Sequence, residues 1–129
     1  WNFLNFKPGF VGGHCVSVDP YYYIYKSNKV GIKSNLFSIA RNINNSMPNF
    51  IVKKIITIMA QNKIKIKGSK ILILGLSFKE NCKDIRNSLV FDIYDLLIKR
   101  KINVNIYDPL INKNEYKLYF LLYPMILPT

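Results

Sequence analysis

The stretch Gly9-Phe-Val-Gly-Gly-His-Cys15-Val-Ser-Val-Asp19-Pro sets a thiol directly behind a glycine-rich loop, with a carboxylate four residues further on. Glycines let backbone approach a bulky ligand, because no Cβ stands in the way. Amides in such turns can also chelate anionic oxygens. A cysteine there can act as a nucleophile once its thiolate is stabilised; a buried, inert cysteine is the competing reading. His14 can raise the thiolate fraction, donate to a substrate oxygen or simply pack. A second block, Ile73-Leu-Gly-Leu-Ser-Phe78-Lys79-Glu-Asn-Cys82-Lys-Asp84-Ile-Arg86-Asn-Ser88, adds the cations Lys79 and Arg86 beside Lys83. Lys79 stands at the end of an apolar run, where ligands of open α/β sheets sit. The Arg86 guanidinium suits a bidentate phosphate contact, or else a surface salt bridge to Asp84.

These residues need a frame. Residues 1–33 read as loop and turn, punctuated by Gly, Pro and aromatics. A helix is expected from Ser34, with Leu36, Ile39, Ala40, Ile43 and Met47 as one apolar stripe. Pro48 is expected to break or kink it, since proline lacks the amide donor. A second stripe, Ile51, Ile55, Ile58 and Met59, follows. Lys70–Leu74 has the length and continuous apolarity of a parallel strand buried on both faces. Ser88 can cap a helix carrying Val90, Ile93, Tyr94 and Leu97, and Lys99, Arg100 and Lys101 lie at its negative end. Val104–Tyr107, closed by Asp108 and Pro109, is a second strand. The fold class is therefore α/β: a helical linker, then the start of a doubly wound, Rossmann-like parallel sheet, incomplete because two strands and one helix cannot close such a domain.

The 129 residues have room for one ordinary domain. Nineteen Lys plus Arg against seven Asp plus Glu, a net charge of +12, favour an anionic partner. The lysines are spread among Ile, Asn, Tyr and Phe rather than gathered into a basic arm, and no helix-turn-helix, zinc-finger or RNA-binding aromatic signature is present, so no nucleic-acid partner is expected. One histidine and no Cys-x-x-Cys spacing give no expectation of a metal site. Cys15 and Cys82 make no disulfide framework, and the run 119–127, interrupted by Pro124, is too short to cross a bilayer. A cytoplasmic protein with reduced thiols and no membrane partner is expected.

The two blocks, followed by Ile106-Tyr-Asp-Pro109, resemble the UDP-glucose/GDP-mannose dehydrogenase family in order and spacing over residues 3 to 110. Gly-Gly-His-Cys followed by Val-Asp-Pro-Tyr looks most like its branch acting on UDP-N-acetylhexosamines, the Vi-polysaccharide type. The resemblance implies an NAD-dependent 6-dehydrogenase that oxidises the sugar's C6 alcohol to a uronate through a cysteine thioester. On this reading Cys15 is the nucleophile and Asp19 its general base or water-orienting group. Phe6, Lys7, Pro8, Gly9, Phe10, Val11 and Gly12 wrap the UDP-sugar, with Phe78 and Lys79 also contacting it. Cys15 and Arg86 meet NAD. The resemblance divides the chain into a catalytic-cysteine segment (1–33), a linker helix that builds a homodimer (34–67) and the start of a UDP-sugar-binding α/β domain (68–129, with 115–129 an atypical tail). A core-facing helix explains the 34–67 stripes equally well. Arg41, in Ala-Arg-Asn-Ile-Asn44, is a family feature with no role derivable from the sequence.

The chain opens mid-motif at Trp1, and no Gly-x-Gly-x-x-Gly is present. The upstream lysine that the family uses in catalysis is also absent. A fragment of a longer enzyme is the expectation; the alternative is a non-catalytic remnant that at most dimerises or binds UDP-sugar.

Overall fold

The computed structural model describes residues 9–112 and 114. Phe6, Lys7 and Pro8 of the expected substrate loop, and the 115–129 tail, lie outside the described residues.

The first element is a helix, α1, Asp19–Lys29, where the sequence reading placed loop. Pro20 sits in the first turn, where its missing N–H costs nothing and its fixed φ favours the helix. Asp19 complements the positive end of the same turn. The helix buries only Ser27 along its length, so it carries no apolar stripe by which periodicity could reveal it.

The second helix, α2, runs unbroken over Asn35–Gln61. Pro48 lies inside it and does not end it, contrary to the expected break. Its ring is fully buried, and packing offsets the lost backbone bond. The face of α2 turned to the core carries Arg41, Asn44, Pro48, Val52 and Met59. The apolar stripe foreseen at 36–47 points elsewhere: Leu36 is 77% exposed and Ile43 58%, with Ile39 and Phe50 also exposed. At about 100° per residue the two faces lie roughly a third of a turn apart. The lower stripe divides, with Met59 buried, Ile51 and Ile55 half-buried and Ile58 exposed.

Strand β1, Lys70–Leu74, pairs in parallel with β2, Asn103–Tyr107, in the register Lys70 to Asn103 through Leu74 to Tyr107. Helix α3, Val90–Lys99, connects them. Ser88 sits two residues before α3, and its hydroxyl accepts the Val90 N–H at 3.4 Å. At the other end Arg100 donates to the Leu96 carbonyl at 2.8 Å, the expected partnership of a cation with unsatisfied C=O groups.

The core lies between one face of this sheet and the two helices. Val52 of α2 meets Ile93 and Leu97 of α3 and Ile102, with Ile71, Ile73 and Val104 of the strands beneath. A smaller cluster, Leu76, Phe91 and Ile111, closes the C-terminal end of the sheet. Burial alternates along both strands. Leu72 and Leu74 are exposed, Leu74 by 73%, so β1 is not buried on both faces among the described residues. A parallel sheet is stable with a helical layer on each side, and α2 and α3 provide one.

Candidate functional site

The glycine loop reaches the C-terminal end of the sheet because three elements grip it. Asn44 of α2 accepts a hydrogen bond from the Val11 N–H at 2.9 Å and donates to the Val11 C=O at 3.0 Å. Phe10 turns inward and packs against the main core cluster. The Gly13 N–H donates to the Arg86 carbonyl at 3.1 Å. Asn87 Nδ2 donates to the Gly13 carbonyl at 2.9 Å, and the Ser17 hydroxyl donates to the same oxygen.

Glycine is required at positions 12 and 13 by the neighbouring segment. A Cβ on Gly12 would lie 2.8 Å from the Asn87 carbonyl oxygen and 2.8 Å from the Phe78 Cβ. Gly13 has φ +83°, and a Cβ there would meet the Phe78 ring at 3.0–3.2 Å. The Phe78–Asn87 segment itself occupies the room that the missing side chains leave. Gly9, by contrast, is exposed with nothing within 4 Å of its would-be Cβ.

Cys15 follows in a tight turn, its carbonyl accepting the N–H groups of Val18 and Asp19, both at 2.8 Å. The residue is exposed, which removes the buried, inert reading. Asp19 is exposed on the first turn of α1. Beside the loop lies a polar cluster. Arg86 grips Asp84 bidentately, Nε to Oδ1 at 2.9 Å and Nη2 to Oδ2 at 2.6 Å. The salt bridge weighed for Arg86 is therefore formed. It holds the Asp84 carboxyl down at about 2. The Arg86 guanidinium is pushed up in turn, first by Asp84 and to a smaller extent by Cys15 and Cys82. His14 Nδ1 sits 3.3 Å from Arg86 Nη2 and 3.7 Å from Asp84 Oδ2.

The segment from Leu76 to Lys79 is fixed by Asp108 at the end of β2. Its Oδ2 accepts the Leu76 N–H at 2.8 Å and the Ser77 N–H at 3.3 Å. Burial opposes the charge on Asp108, yet backbone N–H donors outweigh it and hold the carboxyl below its usual range. Phe78 is half-buried, and the exposed Lys79 ammonium lies 5.5 Å from its ring. Thus the structure brings Gly12, Cys15, Phe78 and Arg86 together across more than 60 residues of sequence. Val11 and Gly9 face outward, and Lys79 extends from the same turn.

Sequence reasoning assigned nothing to Asn44, Asn87 or Tyr21, and left Arg41 open. Arg41 is 8% exposed and borders a cavity of about 390 Å³ with Val11, Ser17, Tyr21, Asn87 and Asp92. Its Nη2 donates to Asn45 Oδ1 at 3.3 Å, its guanidinium lies 5.5 Å from the Tyr21 ring, and its Nε has no partner among the described residues. The bond to Asn45, and then that to Arg41, lowers the Tyr21 pKa. The polar residues at 41 and 44, in step with Pro48, Val52 and Met59 on one helix face, were the available signal, since unpaired amides and guanidinium are costly on a buried helix face.

Among the described residues no three His, Cys, Asp or Glu side chains are grouped to hold a metal ion, and no helix is long and apolar enough to cross a membrane.

Residues 2–46 match the family model of the UDP-glucose/GDP-mannose dehydrogenase family, central domain. Residues 72–125 match that of the same family's UDP binding domain. A UDP-N-acetyl-D-glucosamine 6-dehydrogenase of Salmonella typhi is 43% identical over 117 residues, 91% of this chain and 28% of that protein. Protein CapL of Staphylococcus aureus is 42% identical over 120 residues, 93% of this chain and 28% of that one. Among solved structures, a UDP-D-ManNAc dehydrogenase from Pyrococcus horikoshii aligns with TM-score 0.72 at 32% identity, over 80% of this chain and 24% of its own. The UDP-N-acetyl-mannosamine dehydrogenase Cap5O from S. aureus aligns with TM-score 0.61 at 39% identity, over 80% and 23%. The chain spans a little over a quarter of the length of the curated relatives it matches.

Proposed function

We propose that this chain, which belongs to the UDP-glucose/GDP-mannose dehydrogenase family, supplies the cysteine loop, linker helix and opening of the UDP-binding domain of an NAD-dependent nucleotide-sugar 6-dehydrogenase. The substrate class is a UDP-N-acetylhexosamine, in keeping with relatives named UDP-N-acetyl-D-glucosamine 6-dehydrogenase. The observation that carries the reading is the meeting of the two family segments at Gly12–Gly13 and Phe78–Asn87, with an exposed thiol beside the junction.

In this reading Cys15 acts once the C6 alcohol has become an aldehyde. The thiolate sulfur bonds to the aldehyde carbon and the carbonyl oxygen takes a proton, giving a thiohemiacetal on the protein. Oxidation of that adduct leaves a thioester, which water cleaves to the uronate and the free thiol. Asp19 orients or deprotonates that water. NAD, when bound, would supply the hydride acceptor, one molecule for each of the two oxidations. Arg86 is the proposed contact for a phosphate of that cofactor, which would meet a guanidinium whose Nε and Nη2 already hold Asp84. Phe78, Lys79 and the 6–12 loop are the proposed UDP-sugar contacts. The exposed stripe Leu36, Ile39, Ile43 and Phe50 on α2 supports a homodimer through the 34–67 helix, and the two free thiols accord with a cytoplasmic setting.

The test joins the chain in frame to the cofactor domain of a relative and follows NADH formation with UDP-N-acetylhexosamines. Turnover that disappears in Cys15→Ala and Cys15→Ser is the expected result. A rate unchanged in both variants overturns the thioester route. Absence of turnover, with UDP-sugar still bound in calorimetry, favours a non-catalytic binding module.

A further inference from the structure

The peptide units that precede Cys15 are gripped from opposite sides by two amide side chains that the proposed mechanism does not use. Asn44 engages both polar atoms of the Val11 residue. One planar amide that accepts from an N–H and donates to a C=O fixes that backbone's orientation as well as its distance. Asn44 is 8% exposed on the core-facing side of α2. An apolar side chain there would avoid the cost of desolvating an amide, and asparagine is a weak helix former. On the opposite side Asn87 reaches back to the Gly13 carbonyl while adopting φ +52° itself. The adjoining Arg86 carbonyl receives the Gly13 N–H. Between the two grips the chain has no Cβ at positions 12 and 13, so these bonds, the wall of Phe78 and the Ser17 hydroxyl on the Gly13 carbonyl set the course of the backbone into Cys15.

We propose that Asn44 and Asn87 are positioning residues, a clamp from two elements that holds the backbone leading into Cys15 on the 78–87 turn and so couples the nucleophile to the docking of the UDP-binding segment on the linker helix. The proposal rests on the reading of Cys15 as nucleophile, but its test does not depend on dehydrogenase turnover.

The chain is alkylated in parallel with anionic iodoacetate and neutral iodoacetamide, and modification is read separately at Cys15 and Cys82 by peptide mass spectrometry. The Gly13 to Arg86 bond and the 3.3 Å approach of His14 to the Arg86 guanidinium set the loop beside that cation; because Asp84 shares its charge, the anionic reagent is favoured by less than the roughly threefold of one free unit charge several ångströms away in water. Asn44→Leu removes both bonds to Val11 at similar volume. Asn87→Gly removes the amide while still allowing the left-handed backbone. Each variant is expected to lower the iodoacetate-to-iodoacetamide ratio at Cys15 by up to that factor, and Asn44→Leu, which lies outside the 78–87 turn, to leave the rates at Cys82 unchanged. Asn44→Asp, which keeps the acceptor and loses the donor, should fall between, and it serves should Asn44→Leu fail to fold by circular dichroism. Ratios at Cys15 that stay at the wild-type value in all folded variants overturn the clamp. So does an equal rise at both cysteines with both reagents, which reports general loosening. Turnover that survives Cys15→Ala in the joined enzyme removes the nucleophile reading instead, whatever the alkylation shows.

Discussion

Replacing Gly12 with alanine tests whether the cysteine loop is docked on the Phe78–Asn87 segment as described. The new Cβ would sit 2.8 Å from a backbone oxygen and 2.8 Å from another Cβ, neither of which is the loose end of a side chain. Overpacking of this kind costs about 1–3 kcal/mol. If the loop backs away, it gives up the Gly13 to Arg86 bond and the Asn87 to Gly13 bond, each worth about 1 kcal/mol. The expected loss is therefore about 2 kcal/mol by either route, read as a lower urea midpoint. Gly9→Ala is the control: its Cβ meets nothing within 4 Å, and such a change alters stability by no more than about 1 kcal/mol, in the stabilising direction. Adding Phe78→Ala should not rescue Gly12→Ala, because the Phe78 Cβ and the Asn87 oxygen both remain. It should partly rescue Gly13→Ala, whose contacts are ring atoms, leaving about 1–2 kcal/mol of left-handed backbone strain. A Gly12→Ala midpoint matching that of Gly9→Ala would refute the packing argument, and full rescue by Phe78→Ala would refute its geometry.

Two further outcomes are expected. The Asp84 carboxyl, held at about 2 against the usual 3.8 by Arg86, contributes stability that is complete above about pH 4 and lost as pH falls toward 2; a carboxyl-carbon NMR titration should show that midpoint and its upward move in Arg86→Ala, whereas a wild-type midpoint at 3.8 would mean the pair does not form in solution. Ile43→Glu places a charge in the middle of the exposed stripe on α2 and should weaken self-association at least about tenfold by sedimentation, with no change in the monomer's thermal unfolding; a wild-type chain that is monomeric at all concentrations would sink the dimer.

Much of the framework was legible in order. The Lys70–Leu74 and Val104–Tyr107 runs, the Ser88-led helix between them and the cationic C-terminal turn were all visible, because strand apolarity and helix-end electrostatics are local properties. α1 was not, since its only buried residue is Ser27 and proline and tyrosine mimic a loop. Pro48 misled because the rule against interior proline concerns the isolated helix, and a buried ring in a packed one overrides it. The 36–47 stripe was seen but assigned to the wrong surroundings: period shows that a helix has an apolar face, not what the face meets.

For the site, residue order alone singled out a thiol behind glycines, a carboxylate after it and a distant cationic turn, because reactive groups announce themselves by type and spacing; that the thiol is exposed came from the structure. Tertiary structure decided what the glycines are for. Their missing side chains are filled by Phe78 and Asn87, residues more than 60 positions away, and no local rule connects the two. It likewise turned Arg41 and Asn44 inward and matched Arg86 with Asp84 before any phosphate. Hydrogen-bond partners and van der Waals neighbours are properties of distance in space, and a linear pattern carries that information only where the partners are also neighbours along the chain.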